Sequence, residues 1–417
     1  MNMRVFQSAF WVVLFFTASI ASAENWPNWR GPRGDGTSTE ANIPTHWSGT
    51  ENIAWKVPIP GGGHSSPVVW DDRIFVTTCV DDTSQRLLIC LDRETGKTLW
   101  SQTVVTAALE KKHHLNSFAS STPATDGKVV FVTFLENTSE DEKKNLGNMI
   151  VAAYTVDGKQ LWLSKPGIFS STHGFCSSPV LYEDLVIING DHDGDSYLVA
   201  LSRVDGQVKW KVPRAHKTRS YVTPLIRNYA GKNQLIISGS KSVCSYEPTT
   251  GKLIWNIDGP TEQFVASMVD NGRLLFMTCG FPDKHILAIR PDGEGNVTST
   301  HIAWRTKENC SYVPSPIVVG DYFLIVADNG IASCYLADSG EMQWKERLGR
   351  RYSASLVSAG GLAYFLSDDG LCNVIKPGKE FTEVAKNELG EATYASPAIS
   401  HGKIYMRGEK HLYAIGK

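Results

Sequence analysis

Ser177–Arg214 sets a pattern that the rest of the chain repeats. Short runs of β-branched and aromatic residues, such as Leu185-Val-Ile-Ile188, Tyr197-Leu-Val-Ala-Leu201 and Val208-Lys-Trp-Lys-Val212, are separated by Asp- and Gly-rich turns. Runs of this length bounded by turn formers read as strands, here four of them joined by tight hairpins. A small polar residue followed by proline opens the phrase at Ser66-Pro67, Thr122-Pro123, Ser178-Pro179, Thr223-Pro224, Ser315-Pro316 and Ser396-Pro397. Ser267-Met268 and Ser355-Leu356 keep the register without the proline. Positions 67, 123, 179, 224, 268, 316, 356 and 397 are spaced by 56, 56, 45, 44, 48, 40 and 41 residues. Four-stranded units at such a period in an all-strand chain predict the blades of a propeller.

A second marker runs in phase with the first. Trp100, Trp162, Trp210, Trp255, Trp304 and Trp344 each follow a turn such as Glu94-Thr95-Gly96-Lys97 or Thr250-Gly251-Lys252. In the fourth strand a large flat side chain can fill the wedge between neighbouring blades. The seventh repeat has Ala385 at the aligned place, and Trp55 lies ahead of the first proline in Ile53-Ala-Trp55-Lys-Val57. The last repeat stops at its third strand, Leu412-Tyr-Ala-Ile415, so Ile53–Val57 is predicted to supply the missing fourth. The expected fold is all-β, an eight-bladed β-propeller of four-stranded antiparallel blades over residues 52–417, closed by an N-terminal strand. Closure removes the open edges that invite aggregation. Residues 24–51 form an extension ahead of it.

The phrase Asp92-Arg-Glu-Thr95-Gly96-Lys-Thr-Leu-Trp100 resembles the signature of pyrroloquinoline-quinone (PQQ) repeat propellers, and the likeness covers about residues 52–417. That group includes quinoprotein alcohol dehydrogenases and the propeller lipoprotein of the outer-membrane barrel-assembly machinery. The opening Trp26-Pro-Asn-Trp29-Arg-Gly-Pro32 resembles that of secreted bacterial PQQ-like proteins. The signature is specific for fold and weak for function, because it is a packing device. In the dehydrogenases PQQ lies at the propeller axis with calcium, a catalytic aspartate and a disulfide between adjacent cysteines. No two cysteines are adjacent here, so the resemblance implies the fold without the cofactor.

Composition narrows the partners. The 417 residues carry 41 Lys+Arg against 43 Asp+Glu, a formal charge of −2, which argues against nucleic acid and anionic membranes. Arg4, the apolar run Ala9–Phe16 and the small residues Ala21-Ser-Ala23 make up the three parts of an export signal at 1–23. No cysteine stands at the cleavage point to carry a lipid, and no later run approaches ~20 apolar residues. A monomer without membrane insertion, periplasmic or secreted, is expected. The cysteines fall inside or beside apolar strand runs and are expected to be mostly buried thiols, with a Cys79–Cys90 pair as the alternative.

Candidate chemistry lies just ahead of the first strands, where the chain enters the ring near its axis. His64, the pair His113-His114, His173, Arg219 with Tyr221, Tyr312, Arg351 with Tyr352, and Glu391 with Tyr394 occupy these segments. Repetition places them around one funnel mouth, an arrangement typical of ligand sites. The competing reading makes the aromatics a plug and the charges a solvated rim. The four histidines suit a transition metal. Arg219 and Arg351, with His173 and Tyr312, suit an anion held by bidentate bonds. Asp191-His-Asp193-Gly-Asp195 resembles the start of a calcium loop, though Ser202 stands where the closing acid belongs and an Asp/Gly hairpin looks the same. Glu140–Lys144 reads as a solvated loop, and no Gly-x-Ser-x-Gly elbow, P-loop or His-Glu-x-x-His helix is present.

These readings favour an envelope binding or scaffold module, without a cofactor, that takes a protein, peptide or small anionic ligand at the mouth. The rival is an enzyme at the same place, a hydrolase or a PQQ- or metal-dependent oxidoreductase acting on a small anionic or carbohydrate substrate.

Overall fold

In a computed structural model, which describes residues 23–139 and 146–417, the strands of each repeat pair into one antiparallel sheet. Eight such sheets succeed one another along the chain. The segment expected to be an export signal, but for Ala23, and the loop Glu140–Lys144 fall outside the described residues. Blade 1 consists of Val68–Trp70, Arg73–Val80, Gln85–Asp92 and Thr98–Thr106. Blade 8 takes three strands from the C-terminus and its fourth, Ile53–Pro58, from the N-terminal end, pairing Trp55 with Ala414 and Val57 with Leu412. Blade 4 carries an additional short strand, Gly295–Asn296, parallel to its outer strand.

Blades pack face to face, so their middle strands are covered on both sides and are buried throughout, as Leu185–Gly190 and Tyr197–Ser202 are. Outer strands keep one solvated face; Val208–Pro213 alternates accordingly.

The tryptophan signature is a joint between blades. Trp55 donates its indole N–H to the carbonyl of Arg93 at 2.9 Å, and Trp100 to that of Val156 at 2.9 Å. Trp162, Trp210, Trp304 and Trp344 donate likewise to carbonyls of the blade that follows. The receiving turn needs its glycine for two reasons. Gly96 has φ +71°, and a Cβ there would lie 2.7 Å from the Trp55 ring. Asp92 pins the same turn by accepting from the Thr95 N–H at 2.8 Å and its hydroxyl at 2.6 Å.

Two departures have physical causes. Trp255 donates to Gln234 at 2.8 Å, and Gln234 in turn donates to the carbonyl of Pro291, at the start of the longer connection that replaces the next turn. The seventh blade has Ala385 because the third and fourth strands of blade 8 come from opposite ends of the chain, which leaves no turn to receive an indole. Trp47 of the N-terminal segment joins the same buried cluster as Ala385. The eight cysteines are free; Cys79 lies opposite Arg86 and Cys90 opposite Phe75, so the two do not face one another.

The extension has a definite place. It crosses the end of the axis away from the pre-strand segments, where Trp26 exchanges backbone bonds with Val69 at 2.8 and 2.9 Å. The Pro27 carbonyl accepts from Thr125 at 2.8 Å, and Gly36 accepts from Ser358 at 2.9 Å. Asp35 reaches Arg227 at 2.9 Å, and Glu40 accepts the backbone N–H groups of His401 and Gly402. Arg30 is fully buried, with its guanidinium on the carbonyls of Ser315 and Pro316.

Trp55 therefore carries both the closing strand and the joint to blade 1. Trp55→Ala should destabilise the protein by about 3–5 kcal/mol, the usual cost of emptying a buried tryptophan site. Chemical denaturation gives this directly, and an unchanged midpoint would mean that the ring does not depend on the joint.

Candidate functional site

Every blade is entered from the same end of the axis, so the pre-strand segments converge there and the opening hydroxyls lie below them. Backbone N–H groups of these opening residues donate to the hydroxyl of the corresponding residue in the next blade: Ser66 to Thr122, Thr122 to Ser178, Thr223 to Ser267, Ser267 to Ser315, Ser315 to Ser355 and Ser355 to Ser396, all at 2.9–3.0 Å. The funnel above this girdle is a cavity of about 460 Å³ with Trp29 of the N-terminal segment in its lining. The plug thus turns an axial channel into a dead-ended pocket.

His64, His113, His173, Tyr221, Tyr312 and Tyr394 are brought together in the wall. His64 stacks near Tyr394, with ring centroids 4.6 Å apart, and His113 meets His173 edge-on at 5.5 Å. Tyr221 shares a hydrogen bond with Ser171 at 2.7 Å, and Tyr312 donates to Gln263 at 3.2 Å. Burial holds the imidazoles in the neutral form. It pushes His64 down to about 3, helped by the charges of Arg407 and Lys112. Burial also lowers His113, with His114 and Lys112 adding to it, and His173, with Arg219 and His113 adding to it.

The remaining candidates lie elsewhere. His114 is exposed and stacks on His113 at 4.2 Å. Arg219 is in an ion pair with Asp193 at 2.6 Å, and Arg351 is exposed; neither is part of the cavity wall. Tyr352 is buried in the core, its hydroxyl on Asn373 at 3.3 Å. Glu391 accepts from the Tyr413 hydroxyl and from His411 Nδ1, both at 2.7 Å. The three aspartates of the third blade each face a different cation: Asp191 pairs with Arg214 at 3.0 Å, Asp193 with Arg219, and Asp195 with Lys217 at 2.6 Å. Among the described residues no three His, Cys, Asp or Glu side chains converge as metal ligands would.

Asp328, like Trp29, is a wall residue that the sequence reading passed over. Its carboxylate accepts the backbone N–H groups of Tyr312 at 2.7 Å and Val313 at 3.0 Å, and burial raises its pKa. Asp328-Asn-Gly330 looks like any hairpin turn. The signal was its recurrence one blade later as Asp368-Asp-Gly370, where Asp368 accepts from Ser353 at 3.1 Å and burial raises it to about 6. The wall holds no arginine or lysine. That donor set does not match PQQ, a planar quinone with three carboxylates, each of which would need a cation or several N–H donors.

A family model described as outer membrane protein assembly factor BamB matches residues 48–162 and 90–346. Among solved structures, BamB from Moraxella catarrhalis is similar with a TM-score of 0.61 at 11% identity, covering 87% of this chain and 99% of that one. Quinohemoprotein alcohol dehydrogenase from Comamonas testosteroni gives 0.64 at 12% identity, covering 96% and 82%. A europium-containing methanol dehydrogenase gives 0.57 at 11%, covering 94% and 98%. At these identities the likeness is one of fold. No curated protein matches the chain.

The buried imidazole makes the fold acid-sensitive. An unfolded chain takes a proton on His64 near 6.5, whereas the folded one does so near 3. Between those values the unfolded state binds more protons, so stability falls as the pH drops. His64→Gln should flatten that part of the stability profile while leaving pH 7 little changed. Denaturation midpoints measured from pH 7 to pH 4 test this, and an unaltered slope would remove His64 as a source of the acid limb.

Proposed function

Because the chain belongs to the family of the outer membrane protein assembly factor BamB, we propose that it is an exported binding module whose ligand or partner segment enters the dead-ended axial funnel. The observation that carries this reading is the funnel itself: one end of the axis is sealed by the N-terminal plug, and the other opens through a wall of aromatic rings, hydroxyls and neutral imidazoles. Concave, mostly apolar sites with a few convergent polar groups are where proteins take ligands. The family's name points to protein or peptide partners, and the signal at residues 1–23 points to the periplasm or the exterior. Among the described residues no helix is long and apolar enough to cross a membrane.

Binding is favoured over catalysis by the chemistry of the wall. Its one thiol, Cys176, is pushed up to about 12 by burial and stays protonated at neutral pH. A thiol in that state is a poor nucleophile.

Val265 lines the funnel half-buried and without polar bonds to disturb, so Val265→Trp should fill it from the side. The variant should keep the melting temperature and lose whatever the wild-type protein captures from envelope extracts or metabolite mixtures. If the filled protein captures the same species with the same affinity, the site lies elsewhere on the propeller.

A further inference from the structure

We propose that the funnel takes an organic ammonium group, held by the Asp328 carboxylate and the ring faces of Tyr312 and Tyr394, an inference that rests on the funnel being the ligand site. The argument starts from charge. With the wall imidazoles neutral, Asp328 is the one wall side chain of the described residues that carries a formal charge at neutral pH. Two backbone N–H groups favour its charged form against the burial that raises its pKa. No lysine or arginine of the described residues forms an ion pair with it, so inside a mostly apolar pocket its charge is balanced by those N–H groups and, through space, by Lys284. That state is costly until a cation arrives.

A second carboxylate adjoins the wall through Ser353. Asp368 occupies the same turn position in the next blade, and its Oδ1 is buried without a hydrogen-bond partner. Its other oxygen accepts from Ser353, which is in the funnel wall.

None of the nearby cations is part of the pocket wall. Arg219 is paired with Asp193, and Arg407 is fully buried behind Ser65, 2.7 Å from its hydroxyl. Lys284 and Arg351 act on Asp328 and Asp368 only through space.

Aromatic faces complete the site. Tyr312, whose backbone N–H Asp328 accepts, and Tyr394, whose ring stacks near His64, line the same cavity as Asp328, as does Trp29. A ring face attracts a cation electrostatically, and more strongly where water is excluded. An anion would meet Asp328 with nothing to balance it, and a neutral apolar guest would cover the carboxylate without neutralising it.

Three probes of one shape separate the possibilities: choline, its neutral carbon isostere 3,3-dimethylbutan-1-ol, and the anion 3,3-dimethylbutanoate. Binding is read by saturation-transfer NMR and by competition on the full chain, with Nα-acetyl-lysine amide as a fourth probe to tell a peptide-borne amine from a free quaternary one. Choline or the lysine derivative should bind, and the neutral and anionic probes should bind at least tenfold more weakly. Asp328→Asn should weaken the cation roughly tenfold or more, as loss of a charge-assisted contact does. Tyr394→Leu, at a half-exposed position, should weaken it roughly 2- to 30-fold and serves if the Asn variant does not fold.

If the neutral or anionic probe binds as well as choline and Val265→Trp abolishes it, the ammonium assignment is wrong and the funnel remains the site. If choline binds equally to Val265→Trp, both readings are wrong. If no probe binds, the ammonium assignment fails and the funnel stands or falls on capture by the wild-type protein.

Discussion

The girdle of N–H to hydroxyl bonds around the axis is the contact on which the rest of the molecule is aligned. Its partners are 56, 56, 44, 48, 40 and 41 residues apart, which are the spacings of the repeat itself. A small hydroxyl residue is required at each position because it must donate from its backbone to one neighbour and accept on its side chain from the other. Each bond contributes only about 0.5–1.5 kcal/mol net. Their importance is geometric: they fix how closely the blades approach the axis, and so the diameter of the funnel above. Between Ser178 and Thr223, and between Ser396 and Ser66, no such bond forms, and the Ser66 hydroxyl is left buried without a partner. The second gap lies where the last blade meets the first.

Most of the fold was legible because it is periodic. Girdle hydroxyls, turn glycines and joint tryptophans recur at fixed offsets, each answering a packing need that repeats with every blade. Even the absence of a tryptophan at Ala385 follows from ring closure, since a blade assembled from both chain ends has no third-to-fourth turn. The funnel was legible only in outline. Tyr221, Tyr312, Tyr352 and Tyr394 occupy comparable pre-strand positions, yet Tyr352 turns into the core toward Asn373 while the other three face the cavity. Which way an aligned ring turns is decided by one partner in a neighbouring strand, and spacing carries no record of it. Arg219 and Glu391 were plausible ligand groups for their charge, but each is already held, by Asp193 and by Tyr413 with His411.

Trp29 and Asp328 were missed for opposite reasons. Asp328 lies in a turn whose composition is ordinary, so nothing marks it until the turn is seen to fold back under Tyr312. Trp29 belongs to a segment with no repeat at all, and a segment without periodicity gives no register by which to place it. Its neighbours show what holds it: Trp26 pairs with blade 1, Pro27 with blade 2 and Gly36 with blade 7, so one short stretch is tied to three blades.

The plug and the funnel mouth answer the same physical demand. The first strand of every blade presents a free edge to the axis, and buried backbone groups left unpaired there are costly. At one end the N-terminal segment meets the demand. Trp26 completes a two-way exchange with Val69, and Arg30 lays a guanidinium across the carbonyls of Ser315 and Pro316 although no carboxylate touches it. Burial draws that arginine down to about 10, against the through-space pull of the Asp35 carboxylate, so it remains charged at neutral pH. At the other end no segment of the described chain enters. The wall groups there, Asp328 among them, are left lining an open funnel, which is why the proposed ligand would gain more at the mouth than at the plugged face.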